Sequence, residues 1–419
     1  MHSIRLLVAS LLIAIGVPHA RAQTSLVTAI SAEMMRSFMS NLYANTGQNR
    51  GFTKIRDPLV ARTPTNQHDL ARDYIQSAFT GMGLTTRRDP FSFATYFGAP
   101  PSYYYTGCNN IVATLPGLAP RTFGTYIVGA FYDTVDRGQP LPTNLSAGWA
   151  SKSPGADLNA SGVACLLAVA NALSRQRLMA TIVFVAFDAS EKNFNGSYYF
   201  ARKKTTANPA KTNKILRAEI RGMISLDTVG YNLRDADYNT AALYGGTVKP
   251  DRLRKRLAAA LAVYGGIKTY QRGTTSSSDH VPFIHFGIPA CVLSESRIWE
   301  NPFIYTSADS FSKANYLDFE FMSRIARGVT GFLIEQAVLT APLTTTVVGN
   351  GTVTAGGWQA WGSEVAVKAV PALLWKFHRW EGDTNNCTIL DTTLLARMTQ
   401  PRHIRAVFSL PSADGASLD

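Results

Sequence analysis

The run Ala180-Thr181-Ile182-Val183-Phe184-Val185-Ala186-Phe187 constrains this 419-residue chain more than any other stretch. It is apolar at odd and even positions alike and rich in β-branched and aromatic residues. Such a strand has no solvent face, so it belongs in the middle of a sheet with helices on either side. Further strands are predicted over Asn110 to Leu115, Tyr126 to Phe131, Ile220 to Asp227 and Ala290 to Leu293. Helices are predicted through much of Ser25 to Thr86, from Val163 to Leu173 and from Asp251 to Val263, while Asp89 to Tyr105 reads as an aromatic, proline-broken piece. Strands alternating with helices specify an α/β sandwich.

Acids stand where the predicted strands end: Asp133 after Phe131-Tyr132, Glu191 after Asp188-Ala189-Ser190, and Asp227 after Ser225-Leu226. Asp157 lies in Pro154-Gly155-Ala156-Asp157-Leu158-Asn159-Ala160-Ser161-Gly162, a rigid turn opening an apolar helix. In open α/β sheets ligands bind beyond the carboxyl ends of the strands, so acids arriving there from separate strands converge as a metal-site pattern.

These residues carry a resemblance. The chain resembles the bacterial aminopeptidase branch of the co-catalytic zinc exopeptidases, which also includes glutamate carboxypeptidase-like and glutaminyl-cyclase-like members. Pro154 to Gly162 is similar to the family's P-G-A-D-D-N-x-S-G signature, with Leu158 in the second Asp position. Ala186-Phe187, Glu191 and Gly196-Ser197 match its strand signature, Asp227-Thr228-Val229-Gly230-Tyr231 its D-x-x-G-Y strand end, and Ser278-Asp279-His280-Val281-Pro282-Phe283 its S-D-H-x-P-F loop. The resemblance implies a three-layer sandwich with a mixed central sheet. It also implies two zinc ions bridged by one Asp, each completed by a histidine and a further acid, with a Glu as general base. Carried onto this chain, the metal candidates are Asp157, Glu191 and Asp227. Asp133 stands behind a ligand, and Asp279, His280, Phe131 and Tyr305 belong to the substrate pocket.

The departures are specific. Phe131 stands where the family has its first zinc histidine, Tyr305 where it has the last, and Ser190 where it has the general base. Zinc sites use imidazole, and a metal-bound water attacks only if a base takes its proton. The standard two-zinc reaction is therefore expected to fail. The residual set Asp157, Glu191 and Asp227 is all oxygen, which suits magnesium, calcium or manganese better than zinc. The expected function is peptide or envelope-component binding by a degenerate site. The alternatives are an aminopeptidase or amide hydrolase with a remodelled metal site, and a glutaminyl-cyclase-like enzyme. Restoring Phe131→His, Ser190→Glu and Tyr305→His together is expected to return zinc binding if the scaffold is intact.

The chain's ends suggest its setting. Met1 to Ala22 has a positive start, an apolar stretch from Leu6 to Val17 and an Ala20-Arg21-Ala22 end, the pattern of a cleaved secretory signal, so a secreted or periplasmic bacterial protein is expected. No later segment has eighteen uninterrupted apolar residues, and no membrane span is expected. The net charge of +13 is scattered, which fits a solvated basic surface without specific nucleic-acid recognition. Cys108, Cys165, Cys291 and Cys387 form no C-x-x-C pair, and their spacing ranks none of the three disulfide pairings. Near Ala341 the composition turns to Thr, Pro and Gly, and short alternating runs follow. The expected division is a signal over 1–22, the exopeptidase-like domain over 23–340 and a small all-β domain over 341–419. The last part is similar to the internalin-type bacterial repeat through Gly349-Asn350-Gly351-Thr352-Val353, Ala369-Val370-Pro371, Phe377-His378-Arg379-Trp380-Glu381-Gly382 and Ala406-Val407-Phe408. That likeness implies an extracellular accessory module making envelope contacts.

Overall fold

The computed structural model describes residues 25–46, 66–95, 103–134, 154–208, 210, 214–245 and 251–411. The signal pattern over 1–22 lies outside them. The described residues fall into two compact units, one formed by Ser25–Arg175 with Ala180–Ala337, the other by Gln176–Met179 with the chain from Val338 onward.

The larger unit is built on eight strands: β1 Thr85–Thr95, β2 Tyr103–Leu115, β3 Thr125–Phe131, β4 Thr181–Phe187, β5 Ile220–Leu226, β6 Thr240–Gly245, β7 Lys268–Gln271 and β8 Ala290–Glu295. They pair in the order β1-β2-β4-β3-β5-β8-β6-β7. The four central strands β4, β3, β5 and β8 run parallel, while β2 and β6 join them antiparallel, giving the mixed sheet. Most of β1 and the first residues of β2 lie in the piece that reads as proline-broken in the sequence. Pro90 sits in β1, at the edge of the sheet, where a missing N–H does not interrupt an interior ladder.

Helices α1 Ala32–Thr46, α2 Asn66–Gly81, α3 Gly162–Leu173, α4 Asn195–Tyr199, α5 Arg252–Ala260, α6 His280–His285 and α7 Phe319–Gln336 cover it. Side chains alternate across a strand, which sorts β3 and β4 between two layers. The even residues meet the long helices, Phe184 stacking on Phe79 of α2 and Tyr126 meeting Phe332 of α7 edge-on. The odd residues build the opposite core, where Phe187 packs against Phe200 and Phe283. The 18 residues Ala156–Leu173 are apolar enough to cross a membrane, but 89 % of them are buried inside this fold. Cys108, Cys165, Cys291 and Cys387 are all free thiols.

The smaller unit is all-β: β9 Thr340–Val348, β10 Gly351–Val353, β11 Gly357–Ala360, β12 Glu364–Pro371, β13 Lys376–Gly382, β14 Thr388–Leu390, β15 Thr393–Arg397 and β16 Arg402–Ser409. They form two four-stranded sheets, β11-β9-β16-β13 and β10-β12-β15-β14. The repeat signature residues supply the core, in which Trp380 and Phe408 are buried and Phe377 packs on both. The Trp380 indole N–H donates to the Asp391 carbonyl at 3.0 Å.

Candidate functional site

A cavity of about 550 Å³ opens beyond the carboxyl ends of the parallel strands. Phe131, Leu158, Ile304 and Tyr305 line it with apolar and aromatic surface, Glu191 and Asp227 with carboxylates, and Ser190, Ser278, Tyr244 and Trp299 are among the other residues of its wall. Five of the sequence-predicted residues thus meet there: Phe131, Ser190, Glu191, Asp227 and Tyr305. Trp299, Tyr244 and Ile304 were not legible as site residues, because nothing in their local sequence distinguishes a cavity wall from any other half-buried loop.

Local folding explains how β4 delivers its residues. Ala189 takes a left-handed conformation, φ +55°, that turns the chain sharply at the strand end. The Asp188 carboxylate stabilises the turn by accepting from the Ala189 N–H at 2.7 Å, the Asn109 N–H at 2.7 Å and the His68 ring at 2.8 Å. Asp133 accepts the Ser190 and Glu191 N–H groups at 2.9 and 3.1 Å, so it holds this turn from behind. The Ser190 hydroxyl donates to Asp279 at 2.6 Å. Asp279 and His280 are fully buried and neither lines the cavity, which corrects their expected place in the substrate pocket.

Asp157 requires the larger correction. Its carboxylate does not reach the cavity; the adjacent Leu158 does. One Asp157 oxygen accepts the Gly230 N–H at 2.6 Å and the other accepts the Asn301 side-chain amide at 2.9 Å. The same amide donates to Glu295 at 3.1 Å. A side chain at Gly230 would place its Cβ 2.8 Å from the Asp157 oxygen, so only glycine allows this approach. Asp309 in turn accepts the Asp157 and Leu158 N–H groups at 2.7 and 3.1 Å. Asp157 is therefore a buried fastening between two loops. In the motif Asp157-Leu158 it is the second position that faces the acids, and Leu158 packs there in one apolar cluster with Phe131, Ile304 and Tyr305.

This decides how the family's metals fit. Of the positions facing the cavity, Phe131 and Leu158 offer no donor atom, and Tyr305 offers a phenol in place of an imidazole. Among the described residues no group of three or more His, Cys, Asp or Glu side chains is placed to hold a metal. The donor set does not fit a two-zinc centre, and with Asp157 withdrawn the expected all-oxygen trio is reduced to Glu191 and Asp227.

Burial raises the protonation of these acids. Asp157 and Asp279 are pushed from 3.8 up to about 7, Asp157 by burial and then by Asp309, Asp279 by burial against the pull of the Ser190 and Ser197 hydroxyls. Asp227 is raised by burial, with Ser278 and Thr228 pulling it back. Burial holds His280 down at about 4. At His68 burial opposes the charge, but Asp188 prevails and raises it from 6.5 to about 9. A group with a raised folded pKa binds protons more tightly when folded, so its stabilisation is lost as pH climbs through that value. For the acids this loss begins near pH 4 and runs to about 7, and for His68 it runs from 6.5 to about 9. His280 acts oppositely, but only between about 4 and 6.5. From pH 6.5 to 9 only losses remain, and calorimetry should show the melting temperature falling across that window.

The sequence profile described as Peptidase family M28 matches residues 110–330, and that of a divergent InlB B-repeat domain matches residues 341–412. The chain is 29% identical over 240 residues to Leucine aminopeptidase 1 of Trichophyton rubrum, a match covering 55% of this chain and 58% of that protein. It thus spans little more than half of that relative's length. Among solved structures, the LapA aminopeptidase of Legionella pneumophila superposes with a TM-score of 0.56 at 20% identity, covering 76% of this chain and 75% of that one. The glutaminyl cyclase of Porphyromonas gingivalis superposes with a TM-score of 0.52 at 23% identity, covering 73% of this chain and 99% of that one.

Proposed function

The chain belongs to peptidase family M28, and from that premise we propose that it keeps the family's cavity as a binding site for the N-terminal residue of peptides while lacking two-zinc hydrolysis. The single observation behind this is the cavity wall: an apolar and aromatic surface where metal ligands would stand, beside two carboxylates at Glu191 and Asp227. An apolar pocket with a few convergent polar groups binds a ligand of matching shape, and half-buried carboxylates in its wall favour a cationic partner. An α-ammonium group beside Glu191 and Asp227, with an apolar side chain against Phe131, Leu158 and Tyr305, meets both demands. Export and envelope contact belong to the same reading, supported by the pattern of residues 1–22 and by the InlB-type match.

Calorimetric titration with leucinamide in the presence of a chelator tests the reading. Saturable binding is expected, weakened about 10-fold to 100-fold by Asp227→Asn, the size of a lost hydrogen bond to a charged group. Absence of binding, or binding indifferent to Asp227→Asn and Glu191→Gln, would overturn it.

A further inference from the structure

The turn between β12 and β13 spends two leucines on solvent. The Trp375 N–H donates to the Ala372 carbonyl at 3.0 Å, so Leu373 and Leu374 are the central pair of a tight turn, and they are 89% and 76% exposed. Leu374 sits there at φ +69°, a left-handed conformation that glycine or asparagine adopts at far lower cost. The turn is held from behind, with Trp375 packed against the core of the smaller unit and the Ala372 N–H donating to the Asn350 carbonyl at 3.1 Å. Neither the exposure nor the backbone of this turn favours leucine, so folding does not account for the pair.

The surroundings share its character. Pairing of Val348 with Val407, Gly351 with Pro371 and Lys376 with Ser409 brings the ends of β9, β12 and β16 and the starts of β10 and β13 to one end of the smaller unit. Val348, Val370 and Leu410 are exposed there as well, and apolar residues exposed together mark a contact surface. The only charged residues of the segments 345–353, 368–377 and 407–411 are Lys368 and Lys376, both exposed. Asp391 belongs to the β14–β15 turn, which meets β12 farther from the tip, where the Ala369 N–H donates to the Thr392 carbonyl at 2.8 Å.

A convex two-residue tip offers far less than the about 800 Å² that each partner brings to a stable protein interface. A bilayer needs no matching pocket: it takes apolar side chains between its headgroups, and anionic headgroups attract lysines standing beside them. We infer that this end of the smaller unit is a membrane-contact site, inserting Leu373 and Leu374 into the surface of an anionic lipid bilayer with Lys368 and Lys376 at its phosphates. The inference rests on the envelope-contact part of the reading above and gives that contact a chemistry; the peptide site is independent of it.

Vesicle flotation of residues 23–419 tests it, the apolar run Leu6 to Val17 being left out so that it does not itself insert. Retention is expected on phosphatidylcholine vesicles holding about 30% phosphatidylglycerol and not on pure phosphatidylcholine. Leu373→Ser with Leu374→Gly should weaken it about 100-fold, the size expected for two buried leucines. That variant should unfold at no lower denaturant concentration, because glycine accepts φ +69° freely. Lys368→Gln with Lys376→Gln should weaken retention about 10-fold at low salt. No retention of the unaltered chain, equal retention on both vesicles, or retention that survives Leu373→Ser with Leu374→Gly overturns the assignment. Retention that appears only after residues 412–419 are removed overturns it too, since that segment is then the occupant. Leucinamide affinity should be the same in all these variants, so a failure here is told apart from a failure of the peptide reading.

Discussion

Replacing Phe131→His, Ser190→Glu and Tyr305→His together should leave the chain without a two-zinc centre, whereas adding Leu158→Asp should return zinc. The reason is the direction of one side chain. The family's bridging carboxylate must face the cavity, and at Pro154 to Gly162 the residue facing it is Leu158, while both oxygens of Asp157 are hydrogen-bonded behind it. The triple variant would gain two imidazoles and a base but nothing to join two metals. Elemental analysis after dialysis should therefore find stoichiometric zinc in the quadruple variant and little in the triple. Once metal is bound, the Glu at 190 supplies a general base, worth about 10²–10⁴-fold in rate. Aminoacyl-amide hydrolysis should accordingly separate the quadruple variant from the one that keeps Ser190. Stoichiometric zinc in the triple variant would show that Asp157 turns into the cavity.

The second large effect is expected at Asp309, which no predicted ligand set includes. Its carboxylate satisfies two buried backbone N–H groups, of Asp157 and Leu158, and accepts the Tyr316 hydroxyl at 3.0 Å. Asp309→Ala orphans both N–H groups, at about 1–3 kcal/mol each. It also unfastens the loop carrying Tyr305 from the turn carrying Leu158. Asp309→Asn keeps one acceptor oxygen and removes a charge from beside Asp157, so its cost should be clearly smaller. Denaturant unfolding measures both, and Asp309→Ala should lower the midpoint while ligand affinity also falls, because two walls of the cavity move apart.

Much of this molecule is legible in its sequence, for definable reasons. Thr181–Phe187 is apolar on both faces, and no other position in an α/β sandwich tolerates that, so the central strand and its two helical layers follow. Asp227 directly follows one strand and Glu191 the short turn after another, and the parallel arrangement brings them to one end. What sequence does not reveal is orientation within a turn. Asp157 and Leu158 are adjacent, and only the backbone path, set by Asp309, Gly230 and Asn301, decides which one enters the cavity. Glu295 is hidden for a similar reason: it ends a strand like the other acids but is spent on Asn301 and on the Tyr231 N–H at 3.2 Å. Pro90 misleads in the opposite direction, since proline excludes an interior strand but not the edge it occupies here.

Whether this cavity is a metal centre or a receptor for an ammonium group is decided by a zinc titration of the unaltered, metal-stripped chain followed by calorimetry. With Phe131 and Leu158 in its wall, the cavity should show no saturable zinc binding at micromolar metal and leucinamide binding unaffected by chelator. Stoichiometric zinc uptake, with aminoacyl-amide hydrolysis that chelation abolishes, would contradict the receptor reading.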